Sequence, residues 1–230
     1  MNSEESILPD GAWWRTMFSR EWALVQSQLK SERDTEREAR FVMDALSPPT
    51  GSRILDVPCG DGRLTVAFAQ KGLKATGVDA NGYILNLAAE RAQRAPAAVE
   101  FVQMDMREIG TLGTFDFIVC FWGSFGYFDH SGDRNFLSAA VRCLSPTGRL
   151  LIETHCLETL LPRFVHRQWR HAGGYYLIEE RRFEPATSRV ITDYTAIGEG
   201  IHYQTQSSIR IYSVRELFEF LTSVGCVLSL

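Results

Sequence analysis

Arg53-Ile-Leu-Asp-Val-Pro-Cys-Gly-Asp-Gly-Arg63 is the stretch that decides how this chain folds. Ile54 to Val57 is a short apolar run with β-branched residues at its ends, as suits a buried parallel strand. Pro58 stops the strand, and Gly60 and Gly62 then let the backbone turn tightly beside a ligand before a helix starts near Leu64. Asp56 stands at the strand's carboxyl end, where open α/β sheets bind their ligands. The segment reads as a cradle for a small molecule.

The charge of the loop narrows the ligand. A dinucleotide fingerprint carries a third glycine where strand and helix pack against a pyrophosphate. Counting on from Gly60 and Gly62, that position is Thr65. Asp56 and Asp61 would repel phosphates, so a ligand with a cationic centre and no phosphate fits better. Asp56-Val-Pro-Cys-Gly-Asp-Gly62 resembles the glycine-rich loop of class I S-adenosylmethionine (SAM)-dependent methyltransferases. Pro58 departs from the small or acidic residue commoner there but leaves the glycines undisturbed. The resemblance implies SAM as cofactor, S-adenosylhomocysteine as product, and cofactor contacts from Asp56, Pro58, Cys59, Gly60 and Gly62. It also implies an α/β fold: a doubly wound, mostly parallel sheet with helices on both faces, seven strands in the order 3-2-1-4-5-7-6, the last antiparallel.

Further acids recur at successive strand ends. Lys74 to Val78 is a second strand-like run ending at Asp79, with Ala80 beside it. Asp79 lies about 20 residues past the glycines, the offset at which a carboxylate meets ribose hydroxyls. Val99 to Gln103 reads as a third strand closed by Met104-Asp105-Met106. The resemblance gives Asp105 the adenine amino group and Met106 the face of the ring. Phe115 to Cys120 is a fourth strand, leaving through Phe121-Trp-Gly-Ser-Phe-Gly-Tyr-Phe128. Any one of these aspartates could simply cap a helix or turn; the set is harder to explain that way.

Methyl transfer from a sulfonium needs the acceptor held in line in a site without water. Aromatic faces suit the sulfonium charge, and Phe121 and Trp122 supply them at the fourth-strand exit. The Asn/Asp-Pro-Pro-Tyr signature of nucleic-acid and protein amine methyltransferases is absent there, which favours a small-molecule acceptor. His130 and His155 follow the fourth and fifth strands and are candidates for a general base, with cap or surface roles as the alternative for each. The remaining histidines show no metal-ligand spacing, so no metal site is expected. Trp13, Trp14, Met17, Phe18 and Trp22 give an early helical segment an apolar face. Trp22 and Phe18 are expected to pack on the sheet, and one of Trp13 and Trp14 to cover a ligand. By the resemblance, Arg15 is a candidate for the methionine carboxylate.

At 230 residues the chain can form one core, and its net charge of −4 leaves no electrostatic footprint for nucleic acid. Five cysteines without Cys-x-x-Cys spacing, a polar start and no apolar run of spanning length fit a soluble, cytoplasmic protein away from membranes. One domain is expected, with a helical cap over 1–46, a core over 47–160 and 213–230, and an antiparallel insertion over 161–212. Thr35 with Glu38 has capping-box spacing for a helix running to Leu46. Asp133 to Leu144 reads as a helix, Ser145 to Gly148 as a turn and Arg149 to Thr154 as the fifth strand. Alternating runs at 175–180, 189–196 and 207–212 form the insertion; the resemblance implies that it lies over the acceptor, with a dimerising sheet edge as the alternative. A helix over Val214 to Val224 and a sixth strand over Cys226 to Leu230 follow. Nothing remains for a seventh, which suggests truncation or an edge completed by a homodimer partner. Competing readings are a nicotinamide-dependent oxidoreductase and a catalytically silent methyltransferase-like subunit.

Overall fold

Apolar strands that can be buried on both faces form the centre of the protein, as parallel pairing requires. The computed structural model describes residues 12–95 and 98–227. Strands β1 (Arg53–Asp56), β2 (Lys74–Asp79), β3 (Val99–Gln103), β4 (Phe115–Cys120) and β5 (Leu144–Ile152) pair in parallel in the order β3-β2-β1-β4-β5. Leu55 faces Thr76 on one side and Ile118 on the other. Side-chain alternation splits the core in two. Ile54, Phe117 and Val119 pack under helices α3 (Glu32–Leu46) and α4 (Arg63–Gln70), whereas Leu55, Ile118 and Cys120 pack under α6 (His130–Cys143) and α8 (Val214–Ser223). α5 (Gly82–Gln93) lies along β3. Earlier in the chain come α1 (Trp13–Met17) and α2 (Arg20–Ser27); α7 (Leu157–Leu160) is a single turn after β5.

A second sheet is antiparallel: β6 (Arg167–Ala172), β7 (Tyr175–Glu184), β8 (Arg189–Gly198) and β9 (Ile201–Arg210), in sequential order. It has four strands where the sequence suggested three. β6 escapes notice because its inner positions are Gln168 and Arg170, so it shows no apolar alternation. The expected third run, 207–212, is mostly the end of β9.

Several local expectations are corrected. The capping box is Ser31 with Asp34: the Ser31 hydroxyl accepts from Asp34 N at 3.2 Å and the Asp34 carboxylate accepts from Ser31 N at 3.1 Å. Thr35 therefore sits in the first turn, and Glu38 pairs with Lys30 and Arg63. α6 begins at His130, because Asp129 accepts from Gly132 N at 2.7 Å and starts the helix early. Leu144 pairs with Phe115 and Arg149 with Phe117, so Ser145 to Gly148 bulge out of β5 instead of preceding it. Trp13, Met17, Trp22 and Val25 pack on Leu177 and Ala196 of the antiparallel sheet, not on the parallel one. Phe18 joins them at the margin of that cluster. The seven-strand order is met for five strands only: Cys226 and Val227 lie outside any strand, and 228–230 lie outside the described residues.

Candidate functional site

The carboxyl ends of β1, β2, β4 and β5 open into a cleft of about 1290 Å³, covered by α1, α2 and the inner face of the antiparallel sheet. A pocket for one drug-sized ligand has roughly 300–1,000 Å³, so this cleft has room for two molecules side by side.

The glycine loop forms its floor. Gly60 and Gly62 have φ of +55° and +72°, the left-handed region that glycine tolerates. A Cβ at Gly62 would meet Phe101 at 2.8 Å and Ala88 at 2.9 Å, so this glycine lets β3 and α5 close on the loop. A Cβ at Gly60 would meet nothing within 4 Å, which leaves that backbone open to a ligand. Asp79, at the tip of β2, accepts from Gly60 N at 3.0 Å and Asn81 N at 2.9 Å. Burial pushes its carboxyl pKa up against those hydrogen bonds. Asp56 is 2 % exposed and accepts from Thr65 Oγ1 at 2.6 Å. Burial raises its pKa to about 7, with Asp79 adding to the rise and Thr65 and Arg63 opposing it. Asp61 is bound to Arg91 at 2.6 Å, while Cys59 is buried with its thiol pushed up, which makes it unreactive. Pro58 and Ala80 line the same wall.

On the flank, Asp105 accepts from Arg107 through Nε at 3.0 Å and Nη2 at 2.6 Å, and from its backbone N at 2.9 Å. Burial opposes ionisation there, but these bonds hold the carboxyl below its usual range. Met106 is buried beside it, and Arg107 lies 4.3 Å above the Phe128 ring. Arg15 is exposed at the cleft rim, 5.1 Å over Trp14, and its charge acts on Asp105. At the start of the loop after β4, Lys30 and Arg63 lie 4.5 and 5.4 Å from the Trp122 ring, and at its end Arg189 donates to Phe128 O at 2.9 Å.

Phe121 borders the cleft but its ring belongs to the core beside Phe41, whereas Trp122 is exposed with φ +65°. Trp13 is the buried member of its pair: its ring edges on Tyr127 at 4.8 Å and its Nε1 donates to Tyr127 O at 3.3 Å. The two histidines part company. His155 is exposed at the cleft wall. His130 stacks on Phe220 of α8 at 4.6 Å and 17°, because the Asp129 cap turns the start of α6 toward that helix, so it does not reach the cleft. Sequence reasoning missed Glu153, whose Oε2 accepts from Gly123 N at 3.0 Å and which lines the cleft. The signal was present: it is an acid at the carboxyl tip of the fifth strand. Among the described residues no group of three acids, histidines or cysteines could hold a metal, and no helix is long and apolar enough to cross a membrane.

Residues 54–148 match the methyltransferase domain family. That stretch runs from β1 into β5 and carries the glycine loop with Asp56 and Asp79. A protein of Bacillus subtilis (strain 168) named as a candidate methyltransferase, YqeM, is 31% identical over 141 residues, 60% of this chain and 56% of its own length. The chain spans about half the length of the first curated relatives it matches, 56%, 42% and 42%. A SAM-dependent methyltransferase of Clostridium acetobutylicum ATCC 824 has the same fold with TM-score 0.74 at 15% identity, over 92% of this chain and 87% of that one. SAM-bound CalS10 of Micromonospora echinaspora, an amino pentose methyltransferase, superposes with TM-score 0.70 at 20% identity, over 91% and 89% of the two chains.

Proposed function

We propose that this methyltransferase domain moves a methyl group from SAM to an oxygen, nitrogen or carbon nucleophile of a small molecule, leaving S-adenosylhomocysteine. The observation that carries the reading is Asp79 at the β2 tip, a carboxylate whose recorded partners are backbone N–H groups, facing a cleft beside the open Gly60 backbone. Two carboxylate oxygens at that place suit a ribose diol. Among the described residues Asp56 and Asp79 have no cationic hydrogen-bond partner, and they would favour a ligand bearing positive charge. Asp105 and Met106 suit the adenine edge and face, whereas Trp122, with Lys30 at 4.5 Å and Arg63 at 5.4 Å from its ring, is less suited to a sulfonium. The nicotinamide alternative is disfavoured because the third glycine position is Thr65, whose hydroxyl is already given to Asp56.

When bound, SAM supplies an electrophilic methyl, and the acceptor's lone pair forms the new bond as the methyl–sulfur bond breaks. The protein's part is to align the acceptor, exclude water under the aromatic cap and receive the proton where the nucleophile carries one. Glu153 and His155 line the cleft just past β5, which supports giving them that role. Five free cysteines accord with a reducing, cytoplasmic setting. A homodimer through the β5 edge would finish the sheet; light scattering of the purified protein tests it. Calorimetric titration with SAM and with NAD tests the main reading. SAM binds at one site and NAD does not; no heat at millimolar SAM would overturn it.

A further inference from the structure

The inner face of the antiparallel sheet carries charge where a packed sheet would carry leucine. Strand alternation puts Arg170 opposite Leu177, Gln168 opposite Glu179, and Arg181 opposite Thr192, all on the side that covers the cleft. Glu179 has no exposed surface: burial opposes its charge, and Gln168, Arg181 and Arg170 together hold its pKa below the usual range. Its Oε1 accepts from Arg170 Nη2, its Oε2 from Arg181 Nη2 and, at 2.7 Å, from Gln168 Nε2.

Burying a carboxylate in this way is a poor route to stability, since well-packed apolar residues commonly do as well or better. One carboxylate also cannot neutralise two guanidiniums. The site keeps a net positive charge, and both arginines line the cleft, with side chains 51% and 27% exposed. A further donor lies nearby. Among the described residues Trp22 Nε1 is buried with no hydrogen-bond partner, and its ring edges on Tyr194 at 4.9 Å, directly across from Glu179. The floor of the cleft is acidic and its roof is basic.

We infer that Arg170 and Arg181, oriented by Glu179, form an anion clamp for the methyl acceptor, which therefore bears a carboxylate or a phosphate. Guanidinium forks bind both groups through paired, charge-assisted hydrogen bonds. The inference rests on the methyltransferase reading for what the clamp serves, but the binding of an anion can be measured independently. Glu179 is a positioning residue, since it acts through the arginines.

The experiment titrates inorganic phosphate and, separately, benzoate into the full chain with SAM present, at constant ionic strength, by calorimetry. SAM affinity is measured for every variant. At least one anion binds saturably with a dissociation constant of about 1–10 mM, and the better one names the group. Arg181→Met and Arg170→Met weaken it about tenfold, Arg181→Lys loses less, and Glu179→Gln weakens it with both arginines intact, while SAM affinity stays within about twofold. Absence of saturation by either anion up to about 50 mM, or equal anion affinity in Arg181→Met and wild type, would overturn the clamp. Loss of SAM binding in the wild type, with anion binding preserved, would instead overturn the methyltransferase reading alone.

Discussion

The two sheets of this protein present their functional groups in opposite ways. The parallel sheet is buried on both faces and meets the cleft at its tips, where Asp56, Asp79 and Glu153 line it. The antiparallel sheet meets it with one face, on which Arg170, Arg181 and Tyr194 come together from three strands. The first arrangement is written in contiguous segments. The second exists only after distant residues are paired. A common cofactor can thus be gripped by local motifs while an acceptor is read by a surface that loops and registers assemble.

Substitutions can separate the two halves. Gly62→Val should have the largest effect, because the branched Cβ enters Phe101 and Ala88 at a left-handed φ. A loss of about 3 kcal/mol or more in chemical denaturation, together with loss of SAM binding, is expected. Leu177→Ala, on the opposite sheet, removes a side chain 1% exposed between the sheet and the helical cap. It should cost about 2–3 kcal/mol while leaving the SAM site assembled, so melting falls and SAM still raises it. If both variants lose SAM binding equally, the halves are not separable.

Chemistry at the seam comes next. Once an acceptor is in hand, Glu153→Gln or His155→Ala should lower turnover about 10–100-fold with SAM affinity near wild type, whereas His130→Ala should leave turnover unchanged. Unchanged turnover in the first two variants would mean that the acceptor needs no base from β5.

The smallest effect is a pH profile. Asp56, with a pKa of about 7 in the folded chain against about 3.9 in an unfolded one, stays protonated where the unfolded chain is ionised. Folding stability from this group therefore falls as pH rises from about 4 to 7, and is level above. A sulfonium favours the ionised carboxylate, so SAM affinity should rise several-fold from about pH 6 to 8, and S-adenosylhomocysteine affinity less. Asp56→Asn should flatten both slopes; a slope that persists in the variant belongs to another group.

What could be read from the sequence follows the same division. Strands one to four, the glycine loop and the acids at their tips were legible because each lies in one short apolar run with its own punctuation. The fifth strand was legible apart from its bulge, which depends on pairing with Phe115. Sequence gave no sign that Trp22 would pack on the antiparallel sheet, since helical periodicity reveals an apolar face but not its partner. His130 misled because nearness to the fourth strand in sequence ignores the direction in which its cap turns the helix. β6 and the buried Glu179 stayed hidden because polar residues facing inward look, in one dimension, like a solvated strand.

In the proposed function, Asp79 grips the cofactor at the tip of β2. Calorimetric titration of SAM into the wild type and Asp79→Ala, both shown folded by circular dichroism, tests it most directly. One site is expected in the wild type and an affinity about 100-fold lower in the variant, because a carboxylate with two ligand hydrogen bonds is removed. Equal SAM affinity in the two proteins would contradict it.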